Sequence, residues 1–339
     1  MSHPHNWLRI NTTFELEKIV KVIHHQVRIS LRKKGAIIAV SGGIDSSVCA
    51  ALCTKALGKE NVIALSLPER DSSPDSLRLG RQLADTLGIK LFKEDITPIL
   101  NGAKCYELQI EAIRKIFPEY GEGWKQKVTL PSILENDRLN LTHLTVQRPD
   151  GVQKSSRIPL QAYLQLIAAT NLKQRIRKMT EYLYADRFNY AVCGTPNRLE
   201  YDQGFFVKLG DGSADFKPIA HLYKSQVYQI AEDMDIPEEI RQRMPTTETF
   251  SLPQTQEEFY FSLPYGQMDI CLYGYNHHFP SSETAQEAQL TPEQVERVYI
   301  DIEKKRRATL GLHLPPLLIE SVDEVNNLVQ SAIRQSKEV

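Results

Sequence analysis

The run Ser41-Gly42-Gly43-Ile44-Asp45-Ser46-Ser47 brings together the groups that a chain of phosphates requires. Gly42 and Gly43 let the backbone turn tightly with its N–H groups exposed, and Ser41 and Ser46 add hydroxyl donors. A helix beginning directly behind them would aim its positive dipole end at the same point. Asp45 is an acid inside what is otherwise an anion site. Its presence makes sense if it holds a Mg2+ ion that the phosphates share. The run is neither the GxxxxGK[ST] phosphate loop nor the dinucleotide GxGxxG turn. A strand-to-helix turn capped by Ser or Asp would use the same residue types, and the bare SGG leaves that plainer reading open.

Such a loop must be carried by a strand and a helix, and the flanking sequence supplies both. AIIAV (36–40) is short and wholly apolar, as expected of a strand buried on both faces. SVCAALCTKALG reads as the following helix, closed by Gly58. NVIALSLP (61–68) reads as a second strand, SPDSLRLGRQLADTLG (73–88) as a helix and IKLFKEDI (89–96) as a third strand. This alternation predicts an α/β fold, a doubly wound parallel sheet with helices on both faces. A helix over 14–34 precedes it. From about 103 to 160 the pattern breaks into an amphipathic piece and strand-like residues (LTHLTVQ), read as an insertion of mixed structure. A long helix resumes near Leu160, YAVCG (190–194) reads as a fourth buried strand, and LYKSQVYQIAEDM (222–234) as a helix. Proline-interrupted loops follow, then a last helix over 291–311. With no repeats and no flexible linker, residues 1–339 are expected to form one domain, with a C-terminal extension from about 276.

Bulk composition narrows the function classes. A formal net charge of −1 gives no general electrostatic attraction to nucleic acid or to a membrane surface. No apolar run reaches bilayer length, and the N-terminus lacks the pattern of a secretory signal, so a cytoplasmic location is expected. Cys49, Cys53, Cys105, Cys193 and Cys271 form no CxxC pair. They are expected to be small buried hydrophobes, not disulfides or zinc ligands.

SGGIDSS after the first strand resembles the pyrophosphate loop of the N-type ATP pyrophosphatases, which cleave ATP between its α- and β-phosphates. A second block narrows the resemblance. NLKQRIRKM (171–179), CGTPNRLE (193–200), FFVKLGDGSADFKPI (205–219) and LYKSQV (222–227) follow in the order found in NAD synthetases. The resemblance covers about residues 35–100 and 165–270. It implies that Ser41, Gly42, Gly43, Asp45, Ser46, Thr195, Lys224 and Thr246 contact ATP. It implies that Asp45 and Glu200 hold Mg2+, and that Arg175, Lys208 and Asp215 bind deamido-NAD+. Physical logic agrees: two acids on separate strand ends can share a divalent cation. A lysine beside the transferred phosphate offsets charge that builds in the transition state. Arg175 presents a planar fork for a phosphate or carboxylate. Taken singly, Arg175, Lys208 and Lys224 are ordinary surface cations, Glu200 is a helix-start acid, and Asp211 and Asp215 are turn residues.

The chain departs from the family pattern in places. Leu199 stands where a small hydroxyl residue is common, Thr246 lies in PTTETF, and QTQEEF (254–259) is less acidic than usual. Lys304 and Lys305 are the only candidates for the cationic pair that relatives place near the C-terminus. The reaction implied is attack of the nicotinate carboxylate of deamido-NAD+ on ATP, loss of pyrophosphate, and displacement of AMP by ammonia. Asp45, Lys224 and Ser41 would carry the catalysis. Ammonia is expected free or from a separate subunit, because the chain shows no room upstream for a cysteine amidohydrolase domain. The family also implies a homodimer. The rival readings are another N-type ATP pyrophosphatase (a nucleotide amidase or a tRNA-modifying adenylating enzyme) and a non-catalytic ATP-sensing module.

Overall fold

The computed structural model describes residues 6–130, 142–244 and 250–335. Helix α1 (Thr12–His25) leads, through one wider turn over Gln26–Ser30, to strand β1 (Ala36–Ala39). Then come α2 (Ile44–Leu57), β2 (Val62–Ser66), α3 (Pro74–Leu87) and β3 (Lys90–Lys93). Ser73 caps α3 through its side chain, and Gly88 ends it in the left-handed conformation, as the sequence signals require. Short α4 (Thr97–Gly102) precedes α5 (Cys105–Arg114), the amphipathic piece of the expected insertion. Strands β4 (Lys125–Thr129), β5 (His143–Gln147) and β6 (Gln153–Arg157) complete that insertion as an antiparallel sheet. Gln126, Val128, Leu144 and Val146 alternate inward, and the sheet packs its apolar side chains with Ile113 and Phe250.

The 29-residue α6 (Leu160–Phe188) returns the chain to the main sheet at β7 (Ala191–Val192). The sheet order is β3-β2-β1-β7, all parallel. Alternation within β1 divides the core between the two faces. Ala36 and Ile38 join α1, α2 and α3 on one side, and Ile37 meets α6 on the other. Because β1 is flanked by β2 on one side and β7 on the other, a crevice opens at its carboxyl end, the switch point where open α/β sheets bind ligands. No helix among the described residues is long and apolar enough to cross a membrane.

Beyond β7 come α7 (Arg198–Gln203), α8 (Lys224–Asp233), α9 (Glu238–Gln242), α10 (Tyr265–Asn276), α11 (Ser281–Ala288), α12 (Pro292–His313) and α13 (Asp323–Gln335). The sequence reading treated the stretch before α12 as loops and α12 as the last helix; α9, α10, α11 and α13 correct it. Helix α10 escaped because most of its turns are buried (Met268, Asp269, Ile270, Cys271, Leu272 and Gly274), which leaves no amphipathic period to detect. All five cysteines are buried and free, as expected.

Candidate functional site

The crevice is built from three chain segments that leave the carboxyl ends of β1, β2 and β7. The first is the Ser41–Ser47 turn. Gly42 sits at φ +72°, and a Cβ there would lie 2.8 Å from the Leu79 Cβ and 3.0 Å from Arg243 Nη1, so only glycine fits. The loop is tied to itself and to the helix behind it. Gly43 N donates to Ser41 Oγ at 3.3 Å, while Ser46 Oγ and Ser47 Oγ both donate to Gly43 O, at 3.0 and 2.8 Å. Helix α2 starts inside the motif, with Gly43 as its cap, so Asp45 stands in its first turn beside the unpaired N–H groups.

The second segment provides Glu200. Asn197 and Glu200 form a capping box at the start of α7. Asn197 N donates to Glu200 Oε2 at 3.0 Å, and Glu200 N to Asn197 Oδ1 at 3.3 Å. The remaining Asn197 amide donates to Asp45 Oδ1 at 3.2 Å, which joins the two acids. Gln256 Nε2 donates to Glu200 Oε1 at 3.2 Å. Glu200 is thus both a helix-start acid and a site acid. Burial and then the charge of Asp45 push its carboxyl up to about 8, against the pull of Lys224. Leu199, the departure from the family pattern, turns away into the hydrophobic cluster with Met268 and Ile302 and leaves the crevice unchanged.

Lys224 comes from the start of α8. Asp269, wholly buried on α10, accepts from Lys224 N at 3.2 Å and Ser225 N at 2.7 Å and so seats that first turn. Burial pushes the Asp269 carboxyl up to about 6. The Lys224 side chain is 1% exposed and donates to Asp45 Oδ2. Burial alone would favour its neutral form, but Asp45 and Glu200 together hold its pKa above the ordinary value. Two acids and one lysine converge where the sheet changes direction.

The structure therefore gathers Ser41, Gly43, Asp45, Ser46, Thr195, Glu200 and Lys224 around one crevice. Gly42 shapes its loop from behind. Thr246 lies outside the described residues. Arg175, Lys208 and Asp215 are not in the crevice wall. Arg175 Nε donates to Lys208 O at 3.2 Å, and Lys208 Nζ donates to Gly311 O and Leu314 O at 2.7 and 3.1 Å. Asp215 accepts from Val192 N at 2.7 Å and from the Tyr182 hydroxyl at 3.2 Å. Lys305 is bound to Asp301 at 2.7 Å and to Tyr260 O at 2.9 Å, and Lys304 is exposed.

Several wall residues escaped the sequence reading. Gln174, Arg177, Lys178 and Glu181 line the crevice from one face of α6, the spacing of 3, 1 and 3 that a helix presents to one side. Lys178 Nζ donates to Glu181 Oε2 at 2.7 Å, with both side chains buried. Arg243 Nη1 donates to Ser41 O at 2.9 Å and Nη2 to Ser76 Oγ at 3.0 Å, which pins the loop to α3. The periodicity of α6 was a usable signal; no local pattern announced Arg243.

The third segment, the loop after β2, is held from below. Lys173 is fully buried and bonds Glu69 Oε1 at 3.0 Å and Asp71 Oδ2 at 2.8 Å, and the Tyr106 hydroxyl donates to Glu69 Oε2 at 2.7 Å. Burial would raise the Asp71 carboxyl, but Lys173 and Arg70 hold it below its ordinary 3.8, so this contribution to stability is complete above pH 3.8 and is lost as pH falls through the folded value. Pro68, Ser72 and Ser73 of the same loop line the crevice. Lys173→Met leaves Glu69 without its buried cation and Asp71 with Arg70 alone. We expect a loss of about 3–5 kcal/mol in denaturant unfolding. We also expect a raised KM for ATP, with Lys173→Arg restoring most of both.

Comparison with known proteins agrees with this geometry. The chain is 56% identical over 317 residues to an NH(3)-dependent NAD(+) synthetase of Mesorhizobium japonicum, covering 94% of this chain and 99% of the relative. To the protein of the same description in Thermotoga neapolitana it is 37% identical, over 76% of this chain and 82% of the relative. A solved NH3-dependent NAD synthetase from Campylobacter jejuni shares the fold at a TM-score of 0.59 and 22% identity, over 92% of this chain and all of that one. A family model described as NAD synthase matches residues 15–116 and 133–308, interrupted where β4 of the insertion lies, and with that match the chain belongs to the NAD synthase family.

Proposed function

We propose that this chain joins ammonia to the nicotinate carboxylate of deamido-NAD+, consuming ATP and releasing AMP and pyrophosphate. The observation that carries this reading is the convergence of Asp45, Glu200 and Lys224 beside the Ser41–Ser47 turn. A carboxylate is a poor electrophile, so it must first be adenylated. That step needs a cradle for departing pyrophosphate, more than it needs a covalent nucleophile. The turn's N–H groups and the α2 terminus face the departing phosphates, Lys224 offsets their charge, and Thr195 borders the same space.

Asp45 and Glu200 suit Mg2+. They are hard oxygen donors in one crevice, and the Asp45 charge, which adds to burial in raising the Glu200 carboxyl, is a repulsion that a divalent cation would relieve. When bound, the ion supplies charge screening for the triphosphate. Arg175, Lys208 and Asp215 belong to the same reading as contacts for the dinucleotide, which would extend from the crevice over the edge of α6. A homodimer belongs to it as well. Leu160, Leu164, Met179 and Leu183, each 56% exposed or more, form an apolar row along α6 that a second copy would cover.

The test is to incubate the purified chain with ATP, Mg2+, ammonium and deamido-NAD+ carrying 18O in its carboxylate. NAD+, AMP and pyrophosphate should appear in equal amounts, with one 18O atom in each AMP. Pyrophosphate release that does not depend on deamido-NAD+ would favour another adenylating enzyme of the class. No turnover with any carboxylate would favour an ATP sensor.

A further inference from the structure

The last described segment, residues 314–335, lies off the folded body. After α12 it runs as Leu314-Pro315-Pro316-Leu317-Leu318-Ile319, then as α13, and residues 314–331 are exposed throughout. Leu317 is 82% exposed, Ile319 102% and Leu328 72%, with Val325 and Val329 at least half exposed. This is expensive: each such side chain gains about 1.5–3 kcal/mol when fully buried. Val325, Leu328 and Val329 fall on one face of α13, at the i, i+3, i+4 spacing of a helix built to lie on an apolar surface. The match to the NAD synthase family stops at residue 308, before this arm begins.

We propose that residues 314–335 form an exchanged arm, which crosses to a second copy of this chain and packs its apolar side chains on that copy's α6 row. The inference rests on the two-copy reading given under Proposed function and names the segment that secures it. The first support is where the arm starts. Lys208 Nζ holds Leu314 O, and Lys208 O accepts from Arg175 of α6, so the arm leaves the body beside the apolar row. A second support is stiffness. Pro315 and Pro316 cannot continue α12, and each fixes its own φ and restricts the residue before it, so the chain leaves extended and does not fold straight back.

Reach is a third support. The extended residues 314–322 span up to about 30 Å, and α13 adds about 20 Å. The row from Leu160 to Leu183 is about 35 Å long, so one arm can follow it. Charge argues against a bilayer as the occupant. Residues 314–335 carry one cation, Arg334, against Glu320, Asp323 and Glu324, the reverse of a helix drawn to anionic lipid. Against the α6 row, which carries Arg175 between Leu164 and Met179, the same acids are complementary.

The experiment compares the full chain, a chain ending at His313, and the double variant Leu317→Asp with Ile319→Asp. The double variant changes two exposed side chains and leaves the folded body untouched. In sedimentation dilution series, the dimer dissociation constant should rise about tenfold or more in both altered chains. When 15N-labelled and unlabelled full chains are diluted below the dimer dissociation constant together and reconcentrated, carbodiimide should join Glu320, Asp323 or Glu324 to lysines of the other chain, giving peptides with one heavy and one light member. A dimer that dissociates equally in all three chains overturns the arm and leaves the two-copy reading standing. So do arm crosslinks found only within one label. Binding of the full chain to anionic vesicles that the double variant loses would assign the arm to a bilayer and overturn it too. A full chain that is monomeric at every concentration removes both readings.

Discussion

Asp45→Asn should reduce pyrophosphate release by about 10²–10³-fold while the protein stays folded, the scale of losing one preorganised charged group at a reacting phosphate. The substitution keeps the shape and the acceptor at Oδ1, but replaces the oxygen that accepts from Lys224 with an NH2 donor. Oδ1 still meets Asn197, which holds the first turn of α7 against that of α2. What it removes is one of the two negative charges that a divalent cation would see, and the negative partner of Lys224. The loss should therefore be partly recovered at higher Mg2+ concentration, a response that a purely structural Asp45 would not give. Steady-state pyrophosphate release against Mg2+ concentration, beside circular dichroism, checks both parts. Normal turnover in this variant would remove Asp45 from the mechanism.

Lys224→Met is expected to match or exceed that effect, chiefly in kcat. Methionine fills a similar volume, so the start of α8 should still be seated by Asp269 through backbone N–H groups that the substitution does not touch. The charge is lost, however, and Asp45 and Glu200 then face each other uncompensated. Glu200, already pushed up to about 8 by burial and Asp45, loses the Lys224 charge that lowers it. A kcat loss of about 10²–10³-fold with a smaller change in KM would mark a contact made mainly in the transition state. Because Asp45 and Lys224 are paired, the double variant should cost far less than the product of the two single losses. Full additivity in single-turnover AMP formation would show that the two act separately.

How much of this was legible beforehand depended on how local the physics is. The Ser41–Ser47 turn could be read because its requirements, a left-handed glycine, small hydroxyl donors and a helix start, are all met within seven residues. The parallel sheet could be read because strands buried on both faces must be largely apolar, as AIIAV and the VIAL of residues 62–65 are. Glu200 was within reach for the same reason, since the capping box Asn197–Glu200 spans a single turn. Helix α10 was not, because burial on most sides erases the period that would reveal it. Helix α13 has the period, but its residues 323–331 are all exposed, so no packing partner among the described residues confirms it.

The sequence by itself thus determined the kind of sheet, the phosphate-binding turn and the order of the charged residues that follow it. Tertiary structure alone decided which of those charges meet. Lys224 reaches Asp45 across 179 positions, Lys173 reaches Glu69 across 104, and Lys208 caps the end of α12 and does not face the crevice. The reason is that hydrogen bonds within a turn or a helix are set by residues three or four apart. The side on which a long helix such as α6 presents Arg177 rather than Arg175 is set by how its apolar stripe beds against the sheet.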